Sequence, residues 1–260
     1  MVSRVSKKKR PRREIHQERE EEKTEGGVFN RATMIMLGKF FNKGVVSKLG
    51  FPIARGKESD VFVAEAGNAE ILGGASHVIL KMFRVTTTSF RKMSPYIDGD
   101  PRFTRQVGKS REKIIETWCK KEFGNLEIAS RAGVSVPKPY MYNGTILAME
   151  FIHDSGMVPA ATLANSTLSN PERMAHAVIE DIRKLYDAGL VHADMSEYNI
   201  LVGDDEKEYV IDMGQAIVLK HPNAYDYLQR DVEHIVKYFN RKYGLGIDWR
   251  KTYNQIVQEE

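Results

Sequence analysis

At 260 residues, 42% hydrophobic and 28% charged, the chain has the composition of an ordinary soluble globular protein with length enough for two lobes. Its net charge of +4 is modest, and its single cysteine excludes an internal disulfide and any multi-cysteine metal centre. No apolar run approaches the roughly 18–20 residues of a membrane span, so no membrane is expected among its partners. The basic N-terminus is not followed by an apolar stretch, so no secretory signal is expected, and the lone thiol suits a reducing, cytoplasmic setting.

The first 28 residues lack apolar periodicity and are expected to form a charged flexible tail. A basic run, Lys7 to Arg13, is followed by an acidic one, Glu18 to Glu22. The tail is either a solvated arm or a basic arm that docks on nucleic acid through its phosphates. Residues 31–48 carry Met34, Leu37, Phe40, Phe41 and Val45 at helical spacing. The β signals begin at Asp60–Glu65 and His77–Phe83. The polar stretch from Thr86 to Lys109, punctuated by glycine and proline, reads as a long loop. A helix follows from about Lys109 to Ala132, stopping before Gly133, and then short strands near Tyr140 and at Thr145–Phe151. From Asn170-Pro171 onward helices dominate, with Met174, Val178, Ile182 and Leu185 as the buried stripe of the first. Further helices are expected from Asn223 to about Tyr243 and from Asp248. This order predicts an α+β protein of two lobes, a β-rich N-lobe over 29–152 and a helical C-lobe over 153–260.

The chemistry is concentrated in His192-Ala193-Asp194-Met195-Ser196-Glu197-Tyr198-Asn199 and Asp212-Met213-Gly214. An Asp, an Asn five residues on and a second Asp after a hairpin suit phosphoryl transfer from ATP. Asp194 would orient or deprotonate the acceptor, while Asn199 and Asp212 would hold the metal that bridges the phosphates. Ala193 stands where protein kinases mostly carry Arg, and Met213 where they carry the Phe of Asp-Phe-Gly. Glu122 falls near the centre of an apolar helix face made by Ile114, Ile115, Trp118, Leu126 and Ala129. Lys81 interrupts the apolar strand Val78–Phe83. Two such charges of opposite sign suggest a partnership in which Lys81 holds ATP phosphates and Glu122 positions it. Read alone, the pair is slightly better explained as a snorkelling lysine and a helix-edge glutamate; Asp194, Asn199 and Asp212 turn the reading to the functional one.

Arg55-Gly56-Lys57-Glu58-Ser59-Asp60 offers a phosphate loop through Gly56, Lys57 and Ser59. It is neither a Walker A nor a GxGxxG sequence, and in isolation it reads as well as a simple β-turn. Met149-Glu150-Phe151-Ile152 ends the last N-lobe strand, where the Glu150 carbonyl and the Ile152 amide would meet the adenine edge and Met149 would wall the pocket. His192 is expected to be structural, and Cys119 a small core residue.

These stretches together resemble the RIO family of atypical kinases, in its type-one branch and short, archaeal-like form. The strings that carry the likeness are Gly56–Val61, Tyr96–Phe103, Trp118–Phe123, His192–Leu201 and Ile211–Ala216. The resemblance implies a bilobal protein-kinase-like fold, ATP with Mg²⁺ or Mn²⁺, serine autophosphorylation, and a role in maturation of the small ribosomal subunit and its RNA. It also implies that Asp212 accepts the phosphoryl group as an aspartyl-phosphate during ATP hydrolysis. A monomer or weak dimer is expected, without DNA. The 48 residues after Asp212 hold no Ala-Pro-Glu, so an activation segment and a peptide-binding subdomain are expected to be missing. Two alternatives stay open: a small-molecule phosphotransferase of the aminoglycoside-kinase type, and a non-catalytic, nucleotide-dependent RNA-binding module.

Overall fold

A computed structural model of the chain describes residues 29–85, 90–103 and 110–258. The expected tail over 1–28, and positions 86–89 and 104–109 of the expected loop, lie outside the described residues. The first element, α1 (Arg31–Asn42), is capped by Asn30, whose side chain accepts the Thr33 amide at 2.8 Å. It ends six residues short of the expected Lys48. Gly44 takes a positive φ of 69°, which turns the chain so that Val45 leads into a strand.

That strand, β1 (Val46–Arg55), is the element the sequence conceals. Gly50 and Pro52 weaken its strand signal, and most of its residues are exposed along the sheet edge. Gly50 is needed there, because a Cβ would lie 2.6 Å from the Val63 carbonyl oxygen of β2 (Ser59–Ala66). With β3 (His77–Phe83), β4 (Pro139–Asn143) and β5 (Ile146–Glu150) these strands form one antiparallel sheet in the order β1-β2-β3-β5-β4. Alternation along β3 sends Val78, Leu80 and Met82 to one face, where Leu37 and Phe40 of α1 cover them. Ile79, Lys81 and Phe83 take the other face, and α3 (Arg111–Arg131) packs there with Ser110 as its N-cap.

The stretch expected as a loop instead contains α2 (Phe90–Asp98). Pro95 within it and Gly99 and Pro101 after it mask the helix in the sequence. Burial of Met93 and Ile97 in the main core accounts for its formation, since so short a helix needs tertiary support.

In the C-terminal half, α4 (Pro171–Asp187), α5 (Ala224–Tyr243) and α6 (Trp249–Val257) start as expected, behind Asn170, Asn223 and Asp248. Small antiparallel sheets join β6 (Ala161–Thr162) to β8 (Ile200–Val202) and β9 (Glu208–Val210), and β7 (Leu190–Val191) to β10 (Ile217–Val218). The largest apolar cluster runs from Trp118 and Leu147 through Met195 and Met213 to Val232 and Phe239, welding the halves together. The result is the expected α+β, bilobal protein-kinase-like fold. No helix among the described residues is long and apolar enough to cross a membrane.

Candidate active site

Lys81 reaches the face of the sheet that meets α3. Its Nζ donates to both Glu122 oxygens, at 2.7 and 3.0 Å, and to Asp212 Oδ1 at 2.8 Å. Burial works against a charged lysine, yet Asp212 and Glu122 outweigh it and hold Lys81 above its ordinary pKa. Burial pushes the Glu122 carboxyl up to about 7, against the pull of Lys81. Asp212 shifts the other way, because Lys81 holds its carboxyl below the usual range. Three elements therefore meet at one ammonium group, and two carboxylates satisfy it.

The β8–β9 hairpin delivers the next pair. The Ile211 amide donates to the Asn199 carbonyl at 2.9 Å, extending the ladder so that Asn199 and Asp212 emerge at the same end. Asp212 itself has a φ of 62°, a conformation a non-glycine residue adopts only when its surroundings enforce it. Those surroundings come from α3. Lys121 Nζ donates to the Gly214 carbonyl at 2.8 Å and also to the Ala216 carbonyl, while Asn125 Nδ2 donates to those of Met213 and Ala216 at 2.7 and 2.8 Å. Burial lowers the fully enclosed Lys121 ammonium to a pKa of about 7.

The loop that carries Asp194 is braced from α5. Ala193 has a φ of 66°, and its amide and that of Met195 donate to the buried Asp231 carboxylate at 2.7 and 3.0 Å. Arg230 donates to the Ala193 carbonyl. His192 Nδ1 accepts the Asp194 amide at 3.3 Å, which leaves Nε2–H to donate to the Ile211 carbonyl at 3.0 Å. The histidine therefore ties two loops together. Asp194 Oδ2 accepts from Asn199 Nδ2 at 3.3 Å and Gln215 Nε2 at 2.9 Å, and burial raises the pKa of its carboxyl. Cys119 is buried, and burial pushes its thiol well up.

A cavity of about 320 Å³ opens beside Lys81 and Asp212, lined also by Gly56, Lys57, Glu58, Ser59 and Phe83. The turn at its mouth is closed by the Gly56 amide donating to the Ser59 carbonyl at 2.8 Å. The structure thus brings Gly56, Lys57, Ser59, Lys81 and Asp212 to one cavity, with Glu122 directly behind. Met149, Glu150 and Ile152 lie outside this lining, at and beyond the end of β5. Met149 is half-buried against Val63, Ile79 and Phe151, and the Ile152 carbonyl accepts the Ala160 amide at 3.0 Å.

Among the described residues no group of three or more His, Cys, Asp or Glu side chains is placed to hold a metal. A magnesium ion needs less, because it takes one or two protein oxygens and completes its shell with phosphates and water. Asn199 and Asp212 fit that demand. The Asn199 amide nitrogen turns to Asp194, which presents its oxygen, and the Asp212 side chain is 43% exposed.

Sequence reasoning overlooked Asp231, Arg230 and Asn125, and it quoted Lys121 and Gln215 without a role. The signal for Asp231 was present: it lies on the apolar stripe of Leu228, Val232 and Ile235, as Glu122 does on its own helix.

Residues 60–252, well over half of the chain, match the RIO domain family. The chain is 39% identical over 241 residues to the RIO-type serine/threonine-protein kinase Rio1 of Haloferax volcanii, covering 92% of this chain and 79% of that one. It is 36% identical over 243 residues to the protein of the same description from Methanocaldococcus jannaschii, covering 93% and 79%. Identity to the Homo sapiens serine/threonine-protein kinase RIO1 is 31%, over 82% of this chain but 37% of the human one.

Proposed function

Since the chain belongs to the RIO domain family and is a RIO-type kinase, we propose that it transfers the γ-phosphoryl group of ATP to serine or threonine hydroxyls, its own included, and that it also hydrolyses ATP. The observation that carries this reading is Lys81, bonded at once to Glu122 and Asp212 on the wall of a cavity closed by Gly56, Lys57 and Ser59. Lys81 and the loop amides would neutralise and align the phosphates. Asn199 and Asp212 would hold Mg²⁺ or Mn²⁺, which supplies charge neutralisation at the transferring group when bound. Asp194 would take the proton of the attacking hydroxyl or water. Burial raises its pKa, which makes it a better base than an exposed carboxylate.

Asp212 combines an ionised carboxylate with partial exposure beside the phosphate cavity, which supports a second role as phosphoryl acceptor during ATP hydrolysis. The setting we propose is maturation of the small ribosomal subunit, with the basic run Lys7–Arg13 as the contact to its RNA.

The test is single-turnover ATP chemistry with acid-stable and hydroxylamine-labile phosphate counted separately. Asp194→Ala is expected to lose about 10²–10⁴-fold in turnover. Asp212→Asn is expected to lose the hydroxylamine-labile signal. Turnover like the wild type in Asp194→Ala removes its assignment as base, and a labile signal persisting in Asp212→Asn removes the aspartyl-phosphate.

A further inference from the structure

Asp212 is gripped by α3 from two directions. Glu122 reaches it through Lys81, whose Nζ donates to Asp212 Oδ1 at 2.8 Å. Lys121, the residue before Glu122, takes hold of the main chain beyond Asp212. Its Nζ donates to the Gly214 carbonyl at 2.8 Å and also to that of Ala216, and Asn125 Nδ2 donates to the Met213 and Ala216 carbonyls at 2.7 and 2.8 Å. Three of the four carbonyls that follow Asp212 are therefore held by side chains of one helix. Lys121 and Asn125 are four residues apart, which puts them on one face of α3.

A lysine is a costly choice for this place. Lys121 is fully enclosed, with its ammonium 5.5 Å from the centre of the Trp118 ring. Burial works against its charge; the buried Asp100 carboxylate favours it, Arg102 opposes it and Glu122 favours it. A methionine would fill about the same space without taking a charge out of water. What a methionine lacks is a donor. The Ala216 carbonyl also accepts from Asn125, but Lys121 is the donor to the Gly214 carbonyl. Asp212 meanwhile keeps a φ of 62°, which a non-glycine residue holds only while its surroundings impose it. Without Lys121 the Gly214 carbonyl must turn to water, and the chain from Asp212 to Gly214 is released to relax toward an ordinary φ. That relaxation carries the Asp212 carboxylate out of register with Asn199.

We propose that Lys121 is a positioning residue for metal binding: its buried ammonium holds the Gly214 and Ala216 carbonyls so that Asp212 keeps the backbone conformation in which it shares Mg²⁺ or Mn²⁺ with Asn199. Asn125 acts beside it, on Met213 and Ala216. The inference rests on Asn199 and Asp212 being the metal ligands. The Gly56–Ser59 turn lies outside this grip, so nucleotide bound without metal does not depend on Lys121.

The experiment uses the full-length chain. It follows Mn²⁺ by electron paramagnetic resonance in the presence of a non-hydrolysable ATP analogue, and measures binding of the analogue alone in excess chelator. Lys121→Met is expected to raise the Kd for Mn²⁺ about tenfold or more, with affinity for the analogue in chelator as in the wild type. Asn125→Ala is expected to move the Mn²⁺ Kd the same way, and it carries the test alone if Lys121→Met has no thermal transition above the assay temperature. Gly124→Ala, where an added Cβ meets nothing within 4 Å, is expected to bind Mn²⁺ as the wild type does. Unchanged Mn²⁺ affinity in the folded variants overturns the proposal. So does an equal loss of Mn²⁺ and of analogue bound without metal, which marks a packing role, or a loss of the same size in Gly124→Ala. Asp212→Ala keeps the two layers apart. Normal Mn²⁺ binding there removes Asp212 as a ligand, whereas weakened binding there with normal binding in Lys121→Met and Asn125→Ala removes only the role of Lys121.

Discussion

Beside Asp212, a Cβ on Gly214 would lie 2.7 Å from Trp118 Nε1, and 2.8 and 2.9 Å from two carbons of the same indole. Trp118 is buried, so part of the strain of Gly214→Ala falls on the backbone that carries Asp212. Overpacking of this kind costs about 1–3 kcal/mol, and a displacement of about 1 Å at a reacting group costs about 10²-fold in rate. We expect Gly214→Ala to lower both the thermal midpoint and kcat, measured by calorimetry and steady-state ATP turnover. Gly124→Ala is the control on α3, where an added Cβ meets nothing within 4 Å. It is expected to raise stability by roughly 0.5–1 kcal/mol, the ordinary gain from replacing a helical glycine. At this scale a charge that broke an apolar pattern was a signal, read at two positions and overlooked at a third. Lys81 and Glu122 stood out on that ground, and Asp231 carries the same mark. The positive φ values at Ala193 and Asp212 leave no trace in residue type, because they are imposed by Asp231, Lys121 and Asn125 from elsewhere in the fold.

The element that organises the site is α3. In two turns it presents Trp118 to Gly214, Lys121 and Asn125 to the carbonyls of 213–216, and Glu122 to Lys81. A helix so fastened to the 212–216 loop moves with it, which favours a permanently assembled site over one assembled by rotation of the helix. Glu122 makes this testable through pH. Its folded pKa of about 7 lies above its unfolded value of 4.5, so the native state binds more protons than the unfolded state between those limits. Stability contributed by this group is therefore complete below about pH 4.5 and declines as pH rises toward 7. Chemical denaturation of wild type and Glu122→Gln across pH 5–8 isolates it. The wild-type advantage over the variant is expected to shrink as pH rises, and a difference that is flat or grows would overturn the assignment. Elements with a single dominant period, such as α3, α4 and α5, were legible from apolar spacing. Edge strand β1 and helix α2 were not, because Gly50, Pro52 and Pro95 contradict the local pattern and only packing against β2 and the main core overrides it.

Across the whole molecule, Asp212 is followed by β10, a turn and then α5 from Ala224, so no activation segment intervenes along that path. Tyr96 and Pro95 of α2 dock directly on Tyr227 and His221. For the ribosomal partner of the proposed function, charge makes the N-terminus the candidate contact. The first 28 residues contain nine basic and six acidic side chains, so three of the four net positive charges of the chain lie there. Six of the basic groups fall between Lys7 and Arg13. If these neutralise phosphates of ribosomal RNA, binding releases counterions, and log affinity falls with log salt by about 0.7 per contact on single strands. Deleting residues 1–28 is therefore expected to flatten the slope by up to about 4, measured by filter binding of small-subunit RNA across a salt series. ATP affinity should be unaffected, because the described residues that line the cavity beside Lys81 all lie beyond Arg55. An unchanged slope would remove the arm from RNA recognition while leaving the kinase reading intact, since the two rest on different parts of the chain.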